Sequence, residues 1–412
     1  MRRCGLLGQT LKHSYSPAIH QAMGGDYSYA LFEVEPDHLA EFLEKGDWDG
    51  LNVTIPYKQA VIPFCADLSP TAKAIGSVNT ILRRPDGSLY GDNTDAAGFR
   101  AMLHQSGIAV TGKKVLVLGG GGSSLTVCHV LREEGAGEIT VISRRGSETY
   151  ETLDRHGDAQ VIVNTTPLGM YPHTGVAPIE LSQFPILEGV LDLIYNPART
   201  RLLMEADARG IPHIGGLPML VGQAAAAAKR FVGDTPLRVP QETALRQLRC
   251  QMENLILIGM PGSGKTTIGR LLAERLNRPF IDIDQKIEKA AGCTIPEIFQ
   301  GEGEASFRRR ETQVLAQWGK ESGLVIATGG GVVTREENYP HLHQNGTILL
   351  LERDLTKLER SGRPLSQGDL QTLYEYRLPQ YQRFADCTVQ NEGEPEEVVN
   401  RILEASHEIL SH

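Results

Sequence analysis

The segment Asn254-Leu-Ile-Leu-Ile-Gly259-Met-Pro-Gly262-Ser263-Gly264-Lys265-Thr266-Thr267 constrains this chain more than any other. An apolar run of strand length meets Gly-x-x-x-x-Gly-Lys-Thr, and a helical pattern follows from Ile268 to Leu276. This is a phosphate-binding loop in the strand–loop–helix context that it requires. Its glycines let backbone N–H groups converge on phosphate oxygens, and the helix N-terminus adds partial positive charge. Lys265 is expected to reach the β- and γ-phosphates and the Thr266 hydroxyl to hold Mg²⁺, with Gly262, Ser263, Gly264 and Thr267 completing the cradle. The loop also divides the protein, since about 250 residues precede it and about 150 follow.

A chain of 412 residues is too long for one ordinary core, so two or three domains are expected. A net charge of −9 argues against a nucleic-acid or membrane-surface role. Anionic small molecules would then need local basic pockets. Six scattered cysteines without C-x-x-C spacing are expected to be free thiols in a reducing cytoplasm. The N-terminus shows no long apolar segment of a signal peptide, and no uncharged run is long enough to span a membrane. Oligomeric state is left open.

Before the loop, polar clusters punctuate short apolar strands. His13-Ser14-Tyr15-Ser16-Pro17 spaces two hydroxyls to point the same way from an extended segment. Gly50 to Lys58 alternates apolar residues and ends with Thr54 and Lys58 at a strand end, where functional side chains collect. Ser77-Val-Asn79-Thr80 and Gly91-Asp92-Asn93-Thr94-Asp95 flank a hairpin around Pro85-Asp-Gly87. Each cluster alone is an ordinary turn. Together they hold hydroxyls, an amide, an ammonium and a carboxylate, the set needed to bind a polyhydroxylated carboxylic acid and move one proton.

Further on, Lys114-Val-Leu-Val-Leu runs into Gly119-Gly120-Gly121-Gly122-Ser123, and a second strand, Glu138 to Ser143, follows about twenty residues later. This is βαβ punctuation with a shortened glycine fingerprint. Where an NAD enzyme places an acidic residue for the ribose 2′-hydroxyl, this chain has Arg144 and Arg145. Two guanidinium groups suit a 2′-phosphate, so NADP(H) is expected. Gly222-Gln223 is expected to start an alanine-rich helix.

HSYSP, NVTIPYK, SVNT and GDNTD resemble shikimate dehydrogenase in order and spacing. The resemblance covers residues 1 to about 250. It implies that Ser14, Ser16, Thr54, Asn79 and Asp95 bind substrate, and that Lys58 and Asp95 are the catalytic pair. It also implies that Thr166, Leu193 and Gly216 flank the nicotinamide, while Tyr195 and Gln223 reach the substrate. The family pattern after the second strand is usually Asn-Arg-Thr with a further arginine; here Arg145 replaces the threonine and Glu148 stands near the later position.

After the loop, Phe280-Ile-Asp282-Ile-Asp284 reads as a strand with two carboxylates on one face by period two. Asp282 is expected to support Mg²⁺ through water, and Asp284 to accept a substrate proton. Phe307-Arg308-Arg309-Arg310-Glu311 invites a carboxylate partner for its arginines. Gly329-Gly330-Gly331 offers bare backbone to a ligand, and Arg360-Ser-Gly-Arg363 reads as a short lid. This ensemble resembles shikimate kinase over residues 254 to 412. The resemblance implies that Asp284, Arg308, Gly330 and Arg377 bind shikimate. It further implies that Arg363 lies over the phosphates of ATP and Arg360 near the adenine.

The expected architecture is α/β throughout. An N-terminal α/β substrate subdomain (1–97, completed by about 216–252) is joined by a Rossmann-type NADP subdomain (98–215). A P-loop α/β kinase domain with a parallel sheet (254–412) follows. The two resemblances together imply reduction of 3-dehydroshikimate with NADPH, then MgATP-dependent phosphorylation of shikimate, on the route through chorismate to aromatic amino acids. A quinate/shikimate-type dehydrogenase or a substrate-sensing homologue are the alternatives.

Overall fold

The computed structural model describes residues 1–11, 14–233, 235–358 and 370–411. His13, Arg360 and Arg363 therefore lie outside the described residues. The chain divides into two compact units, one of Met1–Met170, Val176–Tyr195 and Leu202–Leu248, the other of Tyr171–Gly175, Asn196–Arg201 and Arg249–His412.

The first unit holds two sheets. One is six-stranded, in the order Tyr27–Glu33, Arg2–Gly8, Gly50–Val53, Thr80–Arg83, Leu89–Asp92 and Asp67–Leu68. Its first three strands are parallel, and the hairpin around Gly87 (φ +84°) makes the next two antiparallel. Strand Gly50–Val53 is buried at every position, so Asn52 must find its hydrogen bonds inside the protein. The other sheet is five-stranded and wholly parallel, in the order His213–Ile214, Gly189–Asp192, Val161–Asn164, Lys114–Leu118 and Glu138–Ile142. Its inner strands are near-continuous apolar runs, as a parallel sheet covered on both faces requires.

Two helices of this unit, Asp95–Ser106 and Leu217–Val232, cross at glycine. A Cβ on Gly98 would lie 2.4 Å from the Met219 carbonyl oxygen, and one on Gly222 would lie 3.1 Å from Gly98 Cα. This corrects the expected helix start. Pro218 opens the helix in its first turn after Gly216, and Gly222 sits in the interior where the backbones approach closely. The crossing carries Gln223 toward the helix that begins with Asp95.

The second unit is built on one parallel five-stranded sheet, in the order Phe280–Asp282, Val325–Ala327, Asn254–Ile258, Gly346–Glu352 and Cys387–Gln390. The phosphate-loop strand Asn254–Ile258 is central and buried throughout. Within this unit, Arg199 donates to Glu253 Oε1 (3.2 Å) and to the His343 carbonyl (2.9 Å), while the Ala198 amide donates to Asn345 Oδ1 (2.7 Å). The expected strand through Asp284 is also corrected. The strand ends at Asp282, whose side chain accepts from the Gln285 amide (3.3 Å) and caps the helix Ile283–Ala291. An aspartate at a helix N-cap satisfies an orphan N–H, so it ends the strand instead of extending it. No helix among the described residues is long and apolar enough to cross a membrane.

Candidate active sites

In the first unit a cavity of about 730 Å³ gathers residues from segments widely separated in the chain. Ser14, Ser16, Thr54, Lys58, Asn79, Asp95, Tyr195 and Gln223 all line it, as do Ser123, Leu193 and Gly216. Lys58 follows the buried strand Gly50–Val53, and Asp95 is the first residue of its helix. The Lys58 ammonium donates to Asp95 Oδ2 over 2.6 Å, with both side chains mostly shielded from solvent. An ammonium held by a carboxylate in a shielded cavity can pass a proton to a substrate oxygen and regain it from solvent.

Hydrogen bonds beneath the cavity hold its lining in place. Asn79 Oδ1 accepts from the Thr94 amide (2.7 Å) and from the Thr80 hydroxyl (3.1 Å), which ties it to the residue before Asp95. Asn52 Oδ1 accepts from the Tyr29 hydroxyl (2.8 Å) and from His20 Nε2 (3.2 Å). That bond makes Nε2 the donor, so Nδ1 accepts from the Tyr27 hydroxyl at 2.6 Å. Burial pushes the His20 pKa down to about 3, which keeps this ring neutral. Sequence reasoning missed this layer. Its signal was a polar Asn52 between Leu51 and Val53 on a strand with no exposed face.

The dinucleotide side follows the expected βαβ order. Gly119 has φ +107°, and a Cβ there would lie 2.7 Å from Thr165 Oγ1. Gly121 caps the helix Gly122–Glu133, and Gly120 to Gly122 lie outside the cavity that Ser123 enters. Gly216 admits no side chain, because a Cβ would sit 2.0 Å from the Leu193 carbonyl oxygen. The Thr166 hydroxyl donates to Asn164 Oδ1 at 2.7 Å. Arg144 and Arg145 are exposed in the turn after the strand Glu138–Ile142. Glu148 does not pair with either among the described residues; its carboxylate accepts from the Thr152 hydroxyl (2.8 Å) and bonds His156 Nε2 (3.2 Å). These exposed guanidinium groups fit a 2′-phosphate, and the bare glycine turn before a helix N-terminus fits a pyrophosphate.

In the second unit the phosphate loop opens on a cavity of about 560 Å³ lined by Gly262, Gly264, Lys265, Thr266, Thr267, Asp284, Arg308, Gly330 and Arg377. Gly262 and Gly264 have φ of +84° and +91°, which suits residues without a side chain. Lys265 Nζ donates to the Gly259 and Met260 carbonyls, each at 2.9 Å, so it lies within its own loop. Ser263, within the loop, is fully buried and does not line the cavity. The Thr266 hydroxyl donates to Asp282 Oδ2 at 2.8 Å. Two hard oxygen donors side by side fit Mg²⁺, which keeps several waters and takes its remaining ligands from phosphate.

Across the cavity Arg308 is clamped by Glu311 (2.8 Å) and Glu304 (3.2 Å), and Arg377 donates to the Gly330 carbonyl (3.1 Å). Tyr381 donates to that same carbonyl. A Cβ on Gly329 would lie 2.8 Å from Asp284 Oδ1 and 3.0 Å from Glu311 Oε1, so the bare backbone allows two carboxylates to converge there. Glu311 is fully buried, and burial pushes its carboxyl up to about 7 against the opposing pull of Arg308. Its role was not assigned from sequence. The available signal was a carboxylate three residues after Arg308 on one helix, a spacing that brings side chains together.

Comparisons with known proteins agree with this division. The family model for the shikimate dehydrogenase substrate binding domain matches residues 6–81, and that for shikimate kinase matches residues 261–407. The NADP(+)-dependent shikimate dehydrogenase of Methanopyrus kandleri is 37% identical over 278 residues, which span 60% of this chain and 95% of that protein. The solved Thermus thermophilus shikimate 5-dehydrogenase, in complex with NADP(H) and shikimate, is 33% identical with a TM-score of 0.54 over 60% of this chain and 99% of that one. A chorismate mutase/shikimate 5-dehydrogenase fusion protein from Clostridium acetobutylicum superposes with a TM-score of 0.57 at 32% identity, over 60% of this chain and 97% of its own.

Proposed function

The chain belongs to the shikimate dehydrogenase family and carries a shikimate kinase domain behind it, and from that premise we propose which residues perform its two reactions. It is a bifunctional enzyme of the shikimate pathway that uses NADP(H), ATP and Mg²⁺. NADPH supplies the hydride for 3-dehydroshikimate, and MgATP supplies the phosphoryl group for the 3-hydroxyl of shikimate.

In the first reaction Lys58 Nζ donates the proton to the oxygen on which charge develops as the ring carbonyl is reduced. Asp95 orients that ammonium and holds its charge. Ser14, Ser16, Thr54, Asn79 and Gln223 hold the ring hydroxyls and carboxylate, and Tyr195 closes over them. Arg144 and Arg145 bind the 2′-phosphate, while the turn at Gly119 to Gly122 takes the pyrophosphate. The observation that carries this reading is the Lys58–Asp95 contact of 2.6 Å inside a cavity lined with hydroxyl and amide groups.

In the second reaction Asp284 accepts the proton of the attacking hydroxyl, and Arg308, Arg377 and the Gly330 backbone hold the substrate carboxylate and ring. Lys265 neutralises the β- and γ-phosphates, and Thr266 and Asp282 position Mg²⁺. Phosphoryl transfer needs mostly positioning and charge neutralisation, and this constellation supplies both. We assign residues 1–97 with about 216–252 to substrate binding, 98–215 to NADP binding and 254–412 to the kinase. A reducing, cytoplasmic setting is consistent with six free cysteines.

One assay tests the whole reading. 3-Dehydroshikimate and NADPH are supplied, NADPH oxidation is followed, MgATP is added, and ADP is measured. Dehydroshikimate-dependent oxidation followed by ADP release in proportion is expected. Ligand binding without turnover at either stage would point to the substrate-sensing alternative. Faster turnover of 3-dehydroquinate than of 3-dehydroshikimate would point to the quinate-type alternative.

A further inference from the structure

We infer that Arg353 contacts the polyphosphate of the nucleotide in the kinase site. Arg353 directly follows the strand Gly346–Glu352, whose end presses on the phosphate loop: a Cβ on Gly259 would lie 2.5 Å from the Leu351 carbonyl oxygen. The guanidinium lies beside that loop, with Nη1 3.9 Å from where a Cβ on Gly264 would sit.

Two cavities meet at this point. One is the cavity of about 560 Å³ that holds Lys265, Asp284 and Arg308. The other, of about 350 Å³, is lined by Ile268, Lys357, Asn391 and Pro395 among others. Gly264, Thr267 and Arg353 are the residues that line both. A nucleotide with its terminal phosphates over Lys265 extends into the second cavity and passes the Arg353 guanidinium on the way.

Among the described residues the charge on Arg353 is unmatched. Its Nε is buried without a hydrogen-bond partner, and its guanidinium forms no ion pair with any described residue. Of the other arginines at the site, Arg308 is paired by Glu311 and Glu304, and Arg377, whose Nε is likewise buried without a partner, donates through Nη1 to the Gly330 carbonyl, whereas Arg353 makes no hydrogen bond to any described residue. Holding a partly buried cation without a counter-ion is unfavourable unless an anion arrives to pair with it. The planar fork of arginine matches phosphate oxygens, and the bonds it forms are charge-assisted.

This inference rests on the reading that the phosphate loop binds ATP. The test uses the full chain with Arg353→Gln and Arg353→Lys. KM for MgATP, KM for shikimate, and inhibition by ADP and by adenosine are measured, with dehydrogenase turnover on the same sample as the control for folding. For Arg353→Gln, KM for MgATP and the inhibition constant of ADP are expected to rise about tenfold, as loss of a charge-assisted contact implies. KM for shikimate and inhibition by adenosine should not move, and Arg353→Lys should fall between. Unchanged ADP inhibition would overturn the inference, as would equal weakening of ADP and adenosine, which would put the guanidinium on the nucleoside. If the unmodified chain does not bind ADP at all, the kinase reading itself fails and this inference falls with it.

Discussion

The Lys58 ammonium reaches Asp95 Oδ2 across 2.6 Å, although the two residues stand 37 positions apart in the chain. One stands within the turn after a buried strand, and the other opens a helix beyond a hairpin. Their meeting is the centre of the first proposed active site. Lys58→Ala is therefore expected to lower dehydrogenase kcat about 100- to 10,000-fold, the range for a lost general acid. Kinase turnover on added shikimate should be unaffected. Undiminished reduction of 3-dehydroshikimate by this variant would remove Lys58 from the mechanism.

The exposed pair Arg144 and Arg145 gives a second expectation. Replacing both by alanine should raise KM for NADPH about tenfold or more, because charge-assisted contacts to a 2′-phosphate are lost. KM for NADH should change little, so the ratio of the two specificity constants is the quantity to measure. Equal losses for both cofactors would mean that the arginines support the fold or the pyrophosphate instead.

Glu311 supplies a pH dependence whose sign can be worked out. Its carboxyl is raised by burial from 4.5 to about 7, so the folded second unit keeps this proton after the unfolded chain has lost it. The group is neutral to stability below about pH 4.5, and it destabilises increasingly as pH rises from there to about 7. Glu311→Gln should flatten that part of the unfolding free energy against pH. It should also remove an ionisation near 7 from the kinase profile of kcat/KM for shikimate, leaving the dehydrogenase profile alone. Denaturant titrations across this range that show no difference in slope would contradict the assignment.

Gly98 offers a packing test. A methyl group there would come within 2.4 Å of the Met219 carbonyl oxygen, which is backbone and has little room to give. Gly98→Ala is expected to destabilise the first unit by about 1–3 kcal/mol, as overpacking does. Because the crossing also sets Gln223 against the Asp95 helix, KM for dehydroshikimate should rise as well. A denaturation midpoint equal to that of the unmodified chain would show that the helices can part without loss.

The order of elements and the candidate residues of both sites were written in local patterns. A glycine-rich turn between an apolar strand and a helix is specified by residues adjacent in sequence, because φ > 0 and close backbone approach admit little else. The phosphate loop, the βαβ glycine turn and the hairpin at Gly87 were therefore legible in the chain itself. So was the substitution of Arg144 and Arg145 for an acidic residue.

Tertiary structure decided what depends on distant residues sharing a space. The period-two reading of Asp282 and Asp284 failed because a side chain capped a helix, an outcome that alternation in sequence does not encode. Gly222 looked like a helix start until its contact with Gly98 showed it to be a crossing point. The His20–Asn52 layer, the complete burial of Glu311 and the charge of Arg353, unmatched among the described residues, are all matters of burial. Burial is set by the whole fold, and no single segment of the chain carries it.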